Sequence, residues 1–141
     1  MDTATITHLL KKKNIKSTAM RNLVLQYFLD SNKAIDLKEL ETEFHYSDRT
    51  TLFRTIKTFE DKGLIHAIKD GSNSTKYALC NENCTAENHI DIHPHFYCKQ
   101  CKQTTCLRML SIPTISMGSN FIIHSTELII KGICEDCNRV A

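Results

Sequence analysis

Seven cysteines occur in this chain of 141 residues, and none of them comes before Cys80. Four fall in two pairs of identical spacing, Cys98 and Cys101 in "CKQC" and Cys134 and Cys137 in "CEDC", with 32 residues between the pairs. A Cys-x-x-Cys turn leaves both sulfurs on one side, and two such turns can close a tetrahedral four-thiolate zinc site. Four thiolates leave no coordination position for a substrate, so the zinc expected on Cys98, Cys101, Cys134 and Cys137 is structural. A redox dithiol of the thioredoxin kind needs one exposed pair at a helix N-terminus after a strand, whereas both pairs here lie in strand-rich sequence. A zinc deaminase needs H-x-E ahead of P-C-x-x-C, and neither motif is present.

The cysteine boundary coincides with a change in charge. Residues 1–80 carry 13 Lys and Arg against 10 Asp and Glu, a net +3, and residues 81–141 carry 5 against 6, a net −1. A mildly basic unit therefore precedes a thiol-rich one. The N-terminal "MDTATITHLLKKKNIKS" is polar and has neither the apolar run nor the small-residue cleavage site of an export signal. A reducing, cytoplasmic setting is expected, in which clustered thiols bind metal or do redox chemistry rather than form structural disulfides. No segment reads as a membrane span.

The basic unit reads as helices followed by a hairpin. "STAMRNLVLQYFLDS" has a cap candidate at Ser17 or Thr18 and apolar Met20, Leu23, Val24, Tyr27 and Phe28 at helical spacing. "DLKELETEFHYS" is a shorter helix capped by Asp36, and "SDRTTLFRTIKTFEDKG" a third, starting at Ser47 or Asp48 and stopped by Gly63. Strand-like "LIHAIKD" and "TKYALC" follow, joined by the turn-rich "GSNS". Three helices and a hairpin make a winged helix-turn-helix. On the third helix Leu52, Ile56 and Phe59 share one arc, Thr50, Arg54 and Lys57 another, and Phe53 lies between them. The polar arc fits a solvated face as well as a DNA-facing one. The hairpin and the basic "KKKNIK" favour DNA, because a winged helix lays this helix in the major groove and basic side chains on phosphates.

Beyond Cys80 a polar stretch leads into strand-like "HFYCKQCKQTTCL", then a segment interrupted by Pro113 and Gly118 with room for a short helix. "FIIHSTELIIKGI" alternates and is rich in β-branched residues, as a strand is. The expected class is α+β: a winged-helix domain over 1–80, a hinge over 81–92 and a small α/β domain over 93–141, too small to be stable without a metal or a second copy.

His93 and His95 are two apart, so on a strand they project from one face. Cys80 ends the second wing strand and His66 sits on the first. A site drawing on His66, Cys80, His93 and His95 would bridge the two domains and set the angle between them. Read singly, His66 also fits a hydrogen-bonded structural histidine and Cys80 a buried small hydrophobe. Cys106, His89 and His124 remain further candidates, while Cys84, His8 and His45 read as surface or incidental residues.

Over nearly its whole length the chain resembles the Fur superfamily of metal-dependent bacterial repressors, most nearly its zinc-sensing (Zur) branch. The resemblance lies in "KSTAMRNLVL", in "TLFRTIKTFEDKGLI" where the family has T-V-Y-R and a helix ending in G-[LI]-[IV], and in "HPHFYCKQC" and "GICEDC". It implies an N-terminal DNA-binding domain, a C-terminal dimerisation domain, a structural zinc on the four paired cysteines and a regulatory metal at the hinge. The DNA-contacting set it implies is Arg49, Thr50, Thr51, Phe53, Arg54 and Lys57, with Phe53 in place of the family's tyrosine. Iron and peroxide sensors of the family carry a histidine near position 34 and a carboxylate near 78, where this chain has Ala34 and Ala78. Zinc-sensing members carry a cysteine after the last wing strand, as Cys80 does here. The inferred regulatory zinc site is thus His66, Cys80, His93 and His95, with Cys106 as a substitute ligand. Thiolate with imidazole suits zinc, whereas iron(II) and manganese favour imidazole with carboxylate.

The function expected is a zinc-responsive repressor of zinc-uptake genes: a homodimer on double-stranded operator DNA, with one structural and one regulatory zinc per chain, no organic cofactor, no membrane and no enzyme activity. The alternatives are an iron, manganese or peroxide sensor of the same superfamily, and a thiol oxidoreductase or zinc enzyme.

Overall fold

The computed structural model describes residues 3–31, 33–80, 94–107, 109–123 and 126–140. The expected hinge over 81–92, with Cys84 and His89, and the candidate ligands His93 and His124 lie outside the described residues.

The chain opens on helix α1, Thr3–Lys12, which buries Ile6 and Leu10 one turn apart. Lys11 and Lys12 sit in its last turn, where positive charge complements the helix dipole. Asn14, at φ +57°, turns the chain out of the helix, and the Ile15 N–H returns to the Leu10 carbonyl at 2.9 Å. Helix α2, Ala19–Asp30, is capped by Thr18, whose hydroxyl accepts the Arg21 N–H. It buries Val24, Leu25 and Phe28. Leu23, expected in the core, is exposed, because the face that meets α1 and the helix over Arg49–Asp61 is turned towards Leu25.

Strand β1, Ile35–Asp36, runs directly into helix α3, Leu37–Glu43, where the Asp36 carboxylate caps the helix by accepting the Glu39 N–H at 2.7 Å. Helix α4, Arg49–Asp61, is capped in the same way by Asp48, which accepts the Thr51 N–H at 2.6 Å. It ends at Gly63, whose φ of +74° lets the Leu64 N–H reach the Phe59 carbonyl. The hairpin of β2, Ile65–Ile68, and β3, Lys76–Leu79, follows, and β1 pairs antiparallel on the far side of β3. Leu52, Ile56 and Phe59 of α4 lock against Val24, Leu25, Leu40 and Ile65 in one core.

The second sheet has the order β5-β4-β6, from β4, His95–Cys98, β5, Thr104–Cys106, and β6, Ile129–Gly132. β4 and β5 are antiparallel, β4 and β6 parallel. Helix α5, Glu135–Val140, follows, and the acidic first turn at Glu135 and Asp136 suits the dipole at its N-terminus. The class is α+β. The strand expected from Phe121 begins only at Ile129, because a strand needs a ladder partner as well as β propensity, and β4 supplies one only for 129–132. The described residues around Pro113 and Gly118 form no helix.

The two sheets meet along β5. The Ala34 N–H donates to the Thr104 carbonyl at 2.8 Å, Lys33 bridges to Thr105, and Ala34, Ile68 and Ala78 pack with Cys106 and Ile129. Phe59 is fully buried in the N-terminal core. Phe59→Ala is expected to lower unfolding free energy by about 3–5 kcal/mol through lost transfer energy and a residual cavity. Urea unfolding followed by circular dichroism at 222 nm checks this; a loss below about 1 kcal/mol would contradict the described core.

Candidate metal centre and recognition helix

The "CKQC" turn starts at the end of β4 and is completed by Lys102, at φ +65°, whose N–H donates to the Cys98 carbonyl at 2.9 Å. The parallel pairing of Cys98 with Gly132 brings the "CEDC" turn beside it. The sulfurs of Cys98, Cys101, Cys134 and Cys137 then all lie within 4.8 Å of one another, with Cys101 and Cys134 at 3.9 Å. Ligands on one tetrahedral zinc at Zn–S about 2.3 Å stand about 3.8 Å apart, so the donors fit such an ion in type and in spacing.

The electrostatics are those of a site prepared for a cation. Backbone N–H groups of Cys101 and Cys134 point at the Cys98 sulfur at 3.4 and 3.3 Å. The Cys101 N–H above all holds the Cys98 thiol down to about 6, against burial, with help from the Cys134 and Gln100 N–H groups. The Cys137 thiol is pushed up to about 12, first by its hydrogen bond with Cys134, then by burial and the remaining sulfurs. Without a cation the four sulfurs must share protons, and they cannot all ionise together.

The second constellation sits where the sheets meet. His66 pairs with Ala78 across the wing hairpin, and the Cys80 N–H continues the ladder to the Leu64 carbonyl, which turns the thiol back towards the histidine. His66 Nδ1 and Cys80 Sγ are 3.2 Å apart. The His95 ring stands edge-on to His66, with centroids at 5.8 Å and an interplanar angle of 61°. Cys106, at the end of β5, pairs directly with His95 on β4 and borders a cleft of about 300 Å³ between the units, lined also by Phe28, Lys33 and Ala78. Of the expected ligands, His66 touches both Cys80 and His95, and Cys106 pairs with His95 in the β4–β5 ladder. Among the described residues only the four paired cysteines bring three or more ligand atoms within 4.8 Å of one another, and His93 is outside the described residues. An imidazole nitrogen and a sulfur sharing a tetrahedral zinc stand about 3.5 Å apart, so this pair also fits in donor type and spacing.

On α4, Thr50, Phe53, Arg54 and Lys57 are exposed along one side, opposite Leu52, Ile56 and Phe59. Phe53, which the helical wheel left between the arcs, is 56% exposed. Arg49 reaches back to Glu41 on α3 at 2.8 Å, Lys57 pairs with Asp61 at 3.2 Å, and Thr51 serves the Asp48 cap with both its N–H and its hydroxyl. Surface ion pairs of this kind are worth about 0–1 kcal/mol, so phosphate can displace them readily.

Sequence reasoning missed a buried polar group at the junction. Asp70, Lys76 and Thr104 are all buried and bonded together. No motif announces it, since an Asp-Gly in a turn and a Lys at a strand start are ordinary.

The model for the ferric uptake regulator family matches residues 12–131. A ferric uptake regulation protein of Staphylococcus epidermidis is 29% identical over 147 aligned positions, covering 100% of this chain and 99% of that protein. One from Staphylococcus aureus is 27% identical over 143, covering 97% and 98%. A zinc uptake regulator solved in complex with zinc and DNA superposes with a TM-score of 0.63 at 17% identity, over 97% of this chain and 93% of that one. The ferric uptake regulator of Vibrio cholerae superposes with a TM-score of 0.59 at 16% identity, over 90% and 98%. At these identities the solved structures establish the fold alone. The chain belongs to the ferric uptake regulator family of metal-responsive transcription regulators and is not an enzyme.

Proposed function

We propose that this family member is a zinc-responsive, homodimeric, cytoplasmic repressor that binds a near-palindromic operator upstream of zinc-uptake genes. The observation that carries the zinc reading is the donor set at the junction: a thiol 3.2 Å from one imidazole, with a second imidazole edge-on to the first. Zinc bound there would supply a cross-link between the wing and the C-terminal sheet. His66 and Cys80 hold the wing side of that cross-link and His95 the other, with His93 and Cys106 as the remaining candidate ligands. A borderline-soft, redox-inert ion suits sulfur and imidazole, and a thiolate beside redox-active iron would be prone to oxidation. The names of the 27–29% identical relatives favour a second reading, an iron sensor on the same site. The two differ in which ion restores DNA binding to chelated protein.

Cys98, Cys101, Cys134 and Cys137 would hold the structural zinc. The exposed face of α4 would enter the major groove, with Thr50, Phe53 and Arg54 towards the DNA and Lys57, Arg49 and Thr51 at its margins. The homodimer is supported by apolar side chains that the single chain leaves uncovered: Met109, Ile115, Phe121, Ile122, Ile130 and Ile133 are all at least 40% exposed in the C-terminal unit. Turning a largely inactive population into a largely active one takes about 5.5 kcal/mol of differential affinity for the ion, which a thiolate and imidazole site can provide.

Three outcomes are expected. Cys98→Ser releases the tightly held zinc, so that metal analysis of the purified variant falls by about one ion per chain and the C-terminal unit loses its fold; full retention of that ion would remove the cysteines from the structural site. Cys80→Ser, titrated with Zn²⁺ in gel shifts on a duplex from upstream of a zinc-uptake gene, needs at least tenfold more zinc for half-saturation while keeping the structural ion. Unchanged zinc dependence would move the regulatory site elsewhere. Arg54→Ala weakens binding to that duplex and lowers the log–log salt slope by about one, and an unchanged slope would take Arg54 off the phosphates.

A further inference from the structure

The wing hairpin touches the C-terminal sheet at both of its ends. Its open end carries His66 and Cys80. Its turn end carries Asp70 and Lys76, whose side chains are 0% and 7% exposed and 2.8 Å apart. The Lys76 ammonium also donates to the Thr104 hydroxyl at 3.0 Å and to the Lys102 carbonyl, and lies 4.9 Å from the centre of the Tyr97 ring. An ammonium has three N–H donors, and all three are used. The Thr104 hydroxyl, which accepts from Lys76, donates in turn to Asp70, closing a ring of three side chains. Asp70 also accepts the Ser72 N–H at 2.9 Å, which shapes the turn. Although burial opposes its ionisation, hydrogen bonds from Lys76, Ser72 and Thr104 keep the Asp70 carboxyl ionised well below the usual carboxylate range.

Asp70, Ser72 and Lys76 belong to the wing; Tyr97 and Thr104 belong to the other sheet and Lys102 to the turn between its strands. The Lys131 side chain of β6 also comes close to this turn, since a Cβ added at Gly71, φ +91°, would fall 2.5 Å from its ammonium. Buried ion pairs contribute little net stability, because desolvation offsets the attraction, but they reject arrangements that leave a donor or acceptor unmatched. Here the pair travels with the wing: if the units separated, Asp70 and Lys76 would stay together and be rehydrated, so neither state strands a charge. The cost of opening is the two acceptors that Lys76 loses and the exposure of Thr104. Those are the properties of a latch.

We propose that Asp70, Lys76 and Thr104 form a latch that holds the turn end of the wing against β5 without using any metal ligand. The relative placement of the DNA-binding and C-terminal units is then registered at two separate points on one hairpin, and the latch selects the closed placement before the junction site is filled. Lys76 and Asp70 are positioning residues, acting on DNA binding only through the wing.

Amide hydrogen exchange on the full chain as purified, with and without added Zn²⁺, tests this. The double variant Asp70→Asn/Lys76→Met removes both charges together. It is expected to speed exchange at 69–76 and at 102–106 at least tenfold in both conditions, while α2 and α4 exchange as in the wild type. Thr104→Val keeps the ion pair and removes only the hydroxyl between the units; it is expected to speed the same two segments at least threefold, and it decides the matter if the double variant fails to fold. Wild-type exchange at 102–106 in either folded variant would overturn the latch, as would equal acceleration of α2 and α4 in Thr104→Val. Because the effect is read with the junction site filled or not, failure of the zinc reading would leave it standing.

Discussion

The C-terminal unit has almost no aliphatic interior, and its architecture depends on what replaces one. Among its described residues the buried side chains are Pro94, His95, Tyr97, Cys98 and Thr104, whereas the N-terminal unit closes around Val24, Leu25, Leu40, Leu52 and Phe59. The convergence of four sulfurs at the ends of β4 and β6 takes the place of the missing core. A structural zinc there would contribute its binding free energy directly to folding, as small metal-bound domains require. With that corner fixed, β4 presents His95 and Tyr97, two residues apart on one face, to the wing, with Thr104 of β5 beside Tyr97.

The junction between the units is built differently from either core. Among the described residues its packed apolar part is small, Ala34, Ile68 and Ala78 against Cys106 and Ile129, beside the polar contacts of Lys76 and Thr104. Small side chains let the backbones approach, as the Ala34 to Thr104 hydrogen bond shows. An interface with little hydrophobic area and well-matched polar groups specifies one placement without making it irreversible. A regulator needs that balance, since a placement held by a large apolar contact would not answer to a single ion.

Much of this was legible in the sequence because it is local. A carboxylate or hydroxyl caps a helix two or three residues away, so Ser17 or Thr18, Asp36, and Ser47 or Asp48 announced the starts of α2, α3 and α4, where the structure uses Thr18, Asp36 and Asp48, and Gly63 announced the stop of α4. The four-cysteine group was legible because Cys-x-x-Cys is a turn with its chemistry built in. The nearness of His66 to Cys80 followed from reading a hairpin. What escaped is set by docking. Helix α1 rests on one buried pair in a polar stretch, Leu25 is buried because two helices flank α2, and nothing in "TKYALC" says that Lys76 will find Thr104. The apolar run from Phe121 has the composition of a strand, but β4 pairs with only its last residues.

The parallel pairing of β4 with β6 sets the order in which this protein can assemble. Antiparallel neighbours need only a turn, but these two strands are joined by a long excursion, and the two cysteine turns beside them are 32 residues apart. Closing a loop of that length carries an entropy cost of about 3 kcal/mol, against which the pairing of β5 with β4 is a local gain. The helical unit is rich in near-neighbour contacts and can form while the rest of the chain is still being made. The second sheet must wait for its last strand and for the cysteines that follow it. A nascent chain therefore acquires a shaped α4 before it has the sheet that would hold its wing in place.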